Sequence, residues 1–199
     1  MSETMTKTRE EWLIAATTAL RDDFPEETQI PNLVRVTCGW PSHGGRAVKK
    51  RVTGECWSAK KSDDDHFEIF ISPVEANSIE VLGTLIHELV HAAVGLKAGH
   101  KAAFRAVAVE LGLEGKMTAT EVGEELRERL HALVKEIGEY PHAALDPTQT
   151  KKPQSTRMLK IQCPDCQWMA RTSKKWMDLG LPVCACGAQM VNPDVPADQ

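Results

Sequence analysis

The chain has 199 residues, of which 42% are apolar, 26% charged and 5% aromatic. This composition excludes wholesale disorder, and the length allows one full domain with a small module but no large multidomain machine. The net charge of −4 conceals an asymmetry: residues 1–150 carry 17 Lys/Arg against 24 Asp/Glu, whereas residues 151–178 carry Lys151, Lys152, Arg157, Lys160, Arg171, Lys174 and Lys175 against only Asp165 and Asp178.

An acidic body joined to a basic module points to a polyanionic partner held by the module. Residues 1–11 contain no apolar signal core, and nowhere does the chain offer the roughly 18 uninterrupted apolar residues of a membrane span. The expectation is a cytoplasmic protein with no membrane partner.

In chain order, Thr8 and Glu11 have the spacing of a capping box, and Trp12, Leu13, Ala16 and Leu20 recur on one face of a helix over residues 9–21. Residues 32–37 and 68–72 read as strands, which suggests a small antiparallel sheet with long connections. Ser78 is the expected N-cap of a helix from about Ile79 to Leu96 with a stripe of Leu82, Leu85, Leu89, Ala93 and Leu96. A second helix over residues 100–111 carries Ala103, Phe104, Val107 and Leu111 inward and stops at Gly112, and a third follows over 121–137. Prolines 141, 147 and 153 and the polar run 148–156 have linker composition. The expected organisation is therefore an α+β body over residues 1–140, a linker over 141–157, a small module over 158–192 and a tail over 193–199.

His87-Glu88-Leu89-Val90-His91 is an H-E-x-x-H on a predicted helix. The spacing of four residues points two imidazoles from adjacent turns at one zinc ion. Three protein ligands leave a fourth position for water, and zinc lowers the pKa of that water to about 7, so Glu88 can act as its general base and pass the proton to a leaving amine. The competing reading makes these residues only the solvated face opposite the leucine stripe. His100 weighs against it: Gly95 and Gly99 let the chain turn and present a third imidazole nine residues after His91. Glu110 is the rival third ligand, but about 15 Å of helix separates it from His100, so the two cannot share an ion.

His87-Glu88-Leu89-Val90-His91, followed by Gly99-His100 and Phe104, resembles the SprT-like zinc metalloproteases, a family that includes the Spartan-type proteases acting on proteins crosslinked to DNA. The resemblance covers about 40 residues strongly, with Lys101 standing where the family often has glycine. It implies a zincin-like protease domain, three histidine ligands, a glutamate base and work close to DNA.

Cys163-x-x-Cys166 and Cys184-x-Cys186-Gly187 have the layout of a zinc ribbon, a module that SprT-like proteins often carry at this end. So small a module cannot build an adequate core, and zinc would supply its folding free energy. Arg171, Lys174, Lys175 and Trp176 are the expected nucleic-acid contacts, combining cations for phosphates with an aromatic face for a base. Trp168 and Trp176 could instead form the ribbon's core. Cys38, His43, Cys56 and His66 match no common zinc template and read as ordinary thiols and histidines. Tyr140 and His142 are candidates to assist the oxyanion if the chain folds back over the metal.

The combined expectation is a two-zinc protein, with one catalytic and one structural ion, that hydrolyses peptide bonds in proteins held near DNA. The segment Phe67–Ser72 could bind an extended substrate by strand addition if it is a free edge. The alternatives are a non-catalytic, transcription-associated nucleic-acid binder with structural metals, and a regulatory peptidase that cuts one repressor.

Overall fold

A computed structural model describes residues 7–47, 49–148 and 158–194. The chain divides into two compact units, residues 1–148 and 149–199. The fold is α+β, with small sheets throughout.

The body opens with α1 (Arg9–Leu20). Both halves of the predicted capping box form, Glu11 N–H on Thr8 Oγ1 and Thr8 N–H on the Glu11 carboxylate, and Trp12, Leu13, Ala16 and Leu20 are buried. A three-stranded sheet follows, made of β1 (Val34–Cys38), β2 (Gly54–Trp57) and β3 (Phe67–Ile71) in the order β1-β3-β2. β3 runs parallel to β1 and antiparallel to β2. The sheet is thus mixed, which corrects the antiparallel expectation: the long 39–66 excursion lets β3 return beside β1 in the same direction. β3 is also the central strand, paired on both sides, so it cannot accept a further strand. β2, which among the described residues pairs only with β3, is the edge strand nearest the helix that follows, and at four residues it is too short to stand out in the sequence.

α2 (Ser78–Val94) packs across this sheet, with Leu82, Leu85, Ile86 and Leu89 fully buried. Its N-cap is Asn77, whose side chain accepts the Ile79 and Glu80 N–H groups. Ser78, expected as the cap, instead bonds Glu139 and accepts the Tyr140 N–H at 2.9 Å, fastening the end of the body onto the start of the helix. α3 (Ala102–Glu110) buries Phe104, Val107 and Ala108, while Ala103 is exposed rather than inward. A hairpin of β4 (Leu113–Lys116) and β5 (Ala119–Val122) precedes the third helix, taking the first two residues expected for it, and α4 (Glu124–Ile137) starts after Gly123.

The second unit contains the antiparallel pair β6 (Leu159–Gln162) and β7 (Met169–Thr172), then a single turn of helix, α5 (Lys174–Met177). Its core is Ile161, Cys163, Cys184 and Met190. Among the described residues no helix is long and apolar enough to cross a membrane.

Candidate metal centres

α2 carries His87 and His91 on consecutive turns, and the chain then reverses through Gly95 and Gly99. Both glycines have positive φ, 82° and 52°, a region in which a β-carbon is strained. The reversal delivers His100 just ahead of α3. Its Nε2 lies 3.2 Å from Nε2 of His87 and 3.1 Å from Nε2 of His91. Two nitrogens bound tetrahedrally to one zinc at about 2.0–2.1 Å from the ion stand about 3.3–3.4 Å apart, so the spacing fits. Glu110 lies exposed at the far end of α3 and is not part of the cluster.

Phe104, completely buried, forms the floor. Its ring centroid is 4.8, 4.4 and 5.0 Å from those of His87, His91 and His100. Thr120 on β5 contacts His87 Nδ1 at 2.9 Å. If Nδ1 carries the proton and donates it there, the lone pair falls on Nε2, the atom facing the other two imidazoles. In the sequence Thr120 falls just ahead of the helix expected over 121–137 and has no assigned role at the site; the hairpin that supplies it was not expected.

Burial pushes the His87 imidazole down to about 3, aided by His91 and His100, and the His91 imidazole down to about 4, aided by His100. His100 is lowered by burial as well. All three are therefore neutral at neutral pH, the form that ligates a metal.

Glu88 points away from its neighbouring histidines, toward β2, and is 6% exposed. Its carboxylate receives the Cys56 N–H and lies against Gly54. Burial, then the charge of Glu55, pushes the carboxyl up to about 8 against the opposing Cys56 hydrogen bond. A buried carboxyl held near neutrality is suited to exchanging protons.

Cys163, Cys166, Cys184 and Cys186 gather their sulfurs within 4.8 Å of one another in the second unit. All are free thiols, with Cys163 and Cys186 3.4 Å apart and Cys166 and Cys184 3.5 Å apart. Four sulfurs around one zinc at about 2.3 Å stand about 3.8 Å apart, and a modest expansion of the cluster meets that value. The tighter C-x-C bite closes because Gly187 takes φ 97° and returns its N–H to the Cys184 carbonyl at 2.8 Å.

Arg171, Lys174, Lys175 and Trp176 are all exposed, and Lys175 Nζ sits 5.0 Å above the Trp176 ring. Trp168 and Trp176 are 55% and 58% exposed, so neither forms the ribbon's core. Lys160 joins the set as the cross-strand partner of Arg171. Lys151, Lys152 and Arg157 lie outside the described residues.

Tyr140 and His142 are far from the histidines, which removes them from the oxyanion role. Tyr140 packs on Trp12, with ring centroids 5.0 Å apart, and the His142 ring bonds the Pro73 carbonyl at 2.8 Å. Both adjoin the start of α2, about 13 Å of helix from His87. Cys38, His43, Cys56 and His66 do not converge; among the described residues only the three-histidine and four-cysteine groups have metal-ligating geometry. Cys56 is an inert thiol, pushed well above the usual range by burial and by the carboxylates of Glu88 and Glu55.

Neither a protein-family model, nor a curated protein, nor a solved structure matches this chain.

Proposed function

We propose that the protein is a zinc-dependent metallopeptidase of SprT-like, zincin type, acting in the cytoplasm on proteins associated with or crosslinked to DNA. The convergence of three Nε2 atoms, with a buried glutamate adjoining in sequence but turned to the edge strand, carries this reading. A purely structural metal site has no need of Glu88, whose burial as a carboxylate is costly.

His87, His91 and His100 would hold the catalytic ion. When bound, zinc in such a site supplies Lewis acidity and lowers the pKa of a water to about 7. Glu88 takes a proton from the attacking water and later delivers it to the leaving amine. The Cys56 N–H and the close wall at Gly54 keep its carboxyl from swinging away, and Thr120 fixes the orientation of His87. The four cysteines would hold a structural ion that folds the second unit.

The DNA part of the reading rests on the basic residues of the second unit. Lys160 and Arg171 are directly opposite each other on β6 and β7, a like-charge pair that is unfavourable unless an anion bridges it. With Lys174, Lys175 and the exposed Trp176, they offer phosphate contacts beside one stacking surface.

The test is hydrolysis of a protein substrate by zinc-loaded full chain, with and without single-stranded DNA. Glu88→Gln should retain zinc and lose about 10²–10⁴ in rate, and changing Arg171, Lys174 and Lys175 together to Ala should abolish the response to DNA. Undiminished hydrolysis by Glu88→Gln would remove the peptidase mechanism. DNA binding without the log-linear salt dependence expected of phosphate contacts, a slope of about −0.7 per contact on single strands, would remove the electrostatic role.

A further inference from the structure

We propose that the depression walled by Trp40, Trp57 and Phe70 on the outer side of β2 is a subsite for an arginine or lysine side chain of an extended peptide. The inference rests on the peptidase reading and adds a substrate preference to it.

The position follows from the sheet. β2 is an edge strand, and among the described residues no strand pairs with its second side. Gly54 abuts Glu88 and Thr84, and Cys56 packs against the body's core. The alternate residues, Glu55 and Trp57, line the depression, whose volume is about 340 Å³. A peptide added to the edge of β2 would continue the same alternation, sending every second side chain toward the depression and the others toward α2. The depression is therefore reachable from any segment that binds along the strand beside Glu88.

Its chemistry suits a cation. Three aromatic side chains line it, with the carboxyl-bearing Glu55 and Glu68 beside them. Glu55 is fixed by the Ser42 N–H and hydroxyl, both at 2.7 Å. Burial pushes its carboxyl up, but the Ser42 donors, together with the Trp57 side chain and His43, hold it below the usual range. The molecule already uses one of the walls in this way, since the Arg46 guanidinium sits 5.2 Å over the Trp40 ring, within the reach of a cation–π contact. Lys61 on the rim opposes a cation, and Arg35 occupies Glu68 at 2.7 Å. Arg35 also pairs with Asp64, and Arg46 and Lys61 add further cations, so the carboxylate left for an incoming cation is Glu55, which Ser42 holds and which among the described residues faces only His43, 3.9 Å away. A nucleobase could stack on the same indoles, but its phosphates would meet the acidic turn Asp63–Asp65 and a body with excess negative charge. The charges favour the basic side chain.

The experiment uses blocked seven-residue peptides of alanine and serine with one arginine stepped through the positions, each paired with its citrulline counterpart. Binding is read by fluorescence anisotropy on the zinc-loaded full chain carrying Glu88→Gln, and cleavage on the unsubstituted protein. At one position arginine should bind about tenfold more tightly than citrulline, and Trp57→Ala or Glu55→Gln should bring that ratio to about one. Glu55→Gln keeps the side chain's size, so loss of preference there reports charge rather than unfolding. A ratio near one at every position, a ratio unaffected by both substitutions, or no binding of any arginine peptide overturns the subsite. A twelve-nucleotide thymidine strand whose binding is lost in Trp57→Ala, without any arginine preference, assigns the depression to nucleic acid and likewise overturns it. Cleavage without arginine preference defeats the subsite and keeps the peptidase. Arginine-selective binding without cleavage of any peptide keeps the subsite and defeats the peptidase.

Discussion

Gly54 lies so close to Glu88 that a methyl group on its Cα would stand 2.7 Å from Oε1 and 2.8 Å from Cγ, and 2.6 Å from Cγ2 of Thr84. The edge strand and the buried Glu88 carboxyl thus occupy the same space, and glycine is the residue that allows it. Gly54→Ala should displace the carboxyl while leaving the three imidazoles in place. The expected outcome is normal zinc content with a loss of about 10² in kcat/KM, the scale of a misplacement of about 1 Å. Metal analysis and kinetics on one preparation check it, and near-normal turnover would show that Glu88 has room to relocate.

Thr120→Val removes the hydroxyl facing His87 Nδ1 but keeps the shape of the side chain. Zinc affinity should fall about 10–100-fold, as for other residues that orient a ligand, while His100→Ala should abolish tight binding and Glu110→Ala should leave it unchanged. Competition with a chromogenic chelator measures all three. A Glu110→Ala protein that loses zinc would reassign the third ligand.

The metal-free body should have a stability maximum at intermediate pH. The Glu88 carboxyl, about 8 when folded against 4.5 unexposed to the fold, keeps its proton in the native state after the unfolded chain has lost it. Its contribution is complete below about pH 4.5 and disappears as pH rises to about 8. His87 and His91, about 3 and 4 when folded against 6.5, act oppositely: the unfolded chain gains protons first, so stability declines as pH falls below about 6.5. Glu88→Gln removes only the alkaline limb. In chelator, that variant should exceed the parent protein by up to about 4 kcal/mol at pH 8, from about 1.36 kcal/mol per pKa unit, with the gap closing near pH 4. Urea melts across the range test this, and parallel profiles for the two proteins would exclude Glu88 as the origin.

Zinc analysis should find two ions per chain. Cys163→Ser should remove one and unfold the second unit, whose buried core is only four residues, without altering the unfolding transition of the body. A body transition that moves with the cysteine substitution would show that the two units fold as one.

Both candidate metal centres were legible in the sequence because their residues lie at short fixed spacings, i and i+4 on a helix, C-x-x-C and C-x-C in turns. His100 was legible because Gly95 and Gly99 announced the reversal that brings it back. The surroundings were not. β2 offers four residues and no apolar run, and its identity is settled by pairing with β3. Thr120 depends on a hairpin of two four-residue strands that reads in the sequence as a connection before the helix over 121–137, and the hairpin's identity is settled by the pairing of 113–116 with 119–122. Tyr140 and His142 could not be placed from spacing, since their partners Trp12, Ser78 and Pro73 are distant in the chain.

The Trp12 indole N–H donates to the Gly138 carbonyl at 2.7 Å, and Lys7 Nζ reaches the Ile137 carbonyl at 3.3 Å. α1 is thus completed by nearly the last residues of the body, while Glu139 and Tyr140 close over Ser78 at the start of α2. Such contacts between distant parts of the chain form late and slowly. On the ribosome, the Trp12 indole N–H waits for more than a hundred residues before its acceptor is made, so a nascent chain stalled before Gly138 lacks that bond and the cover that Glu139 and Tyr140 give the start of α2.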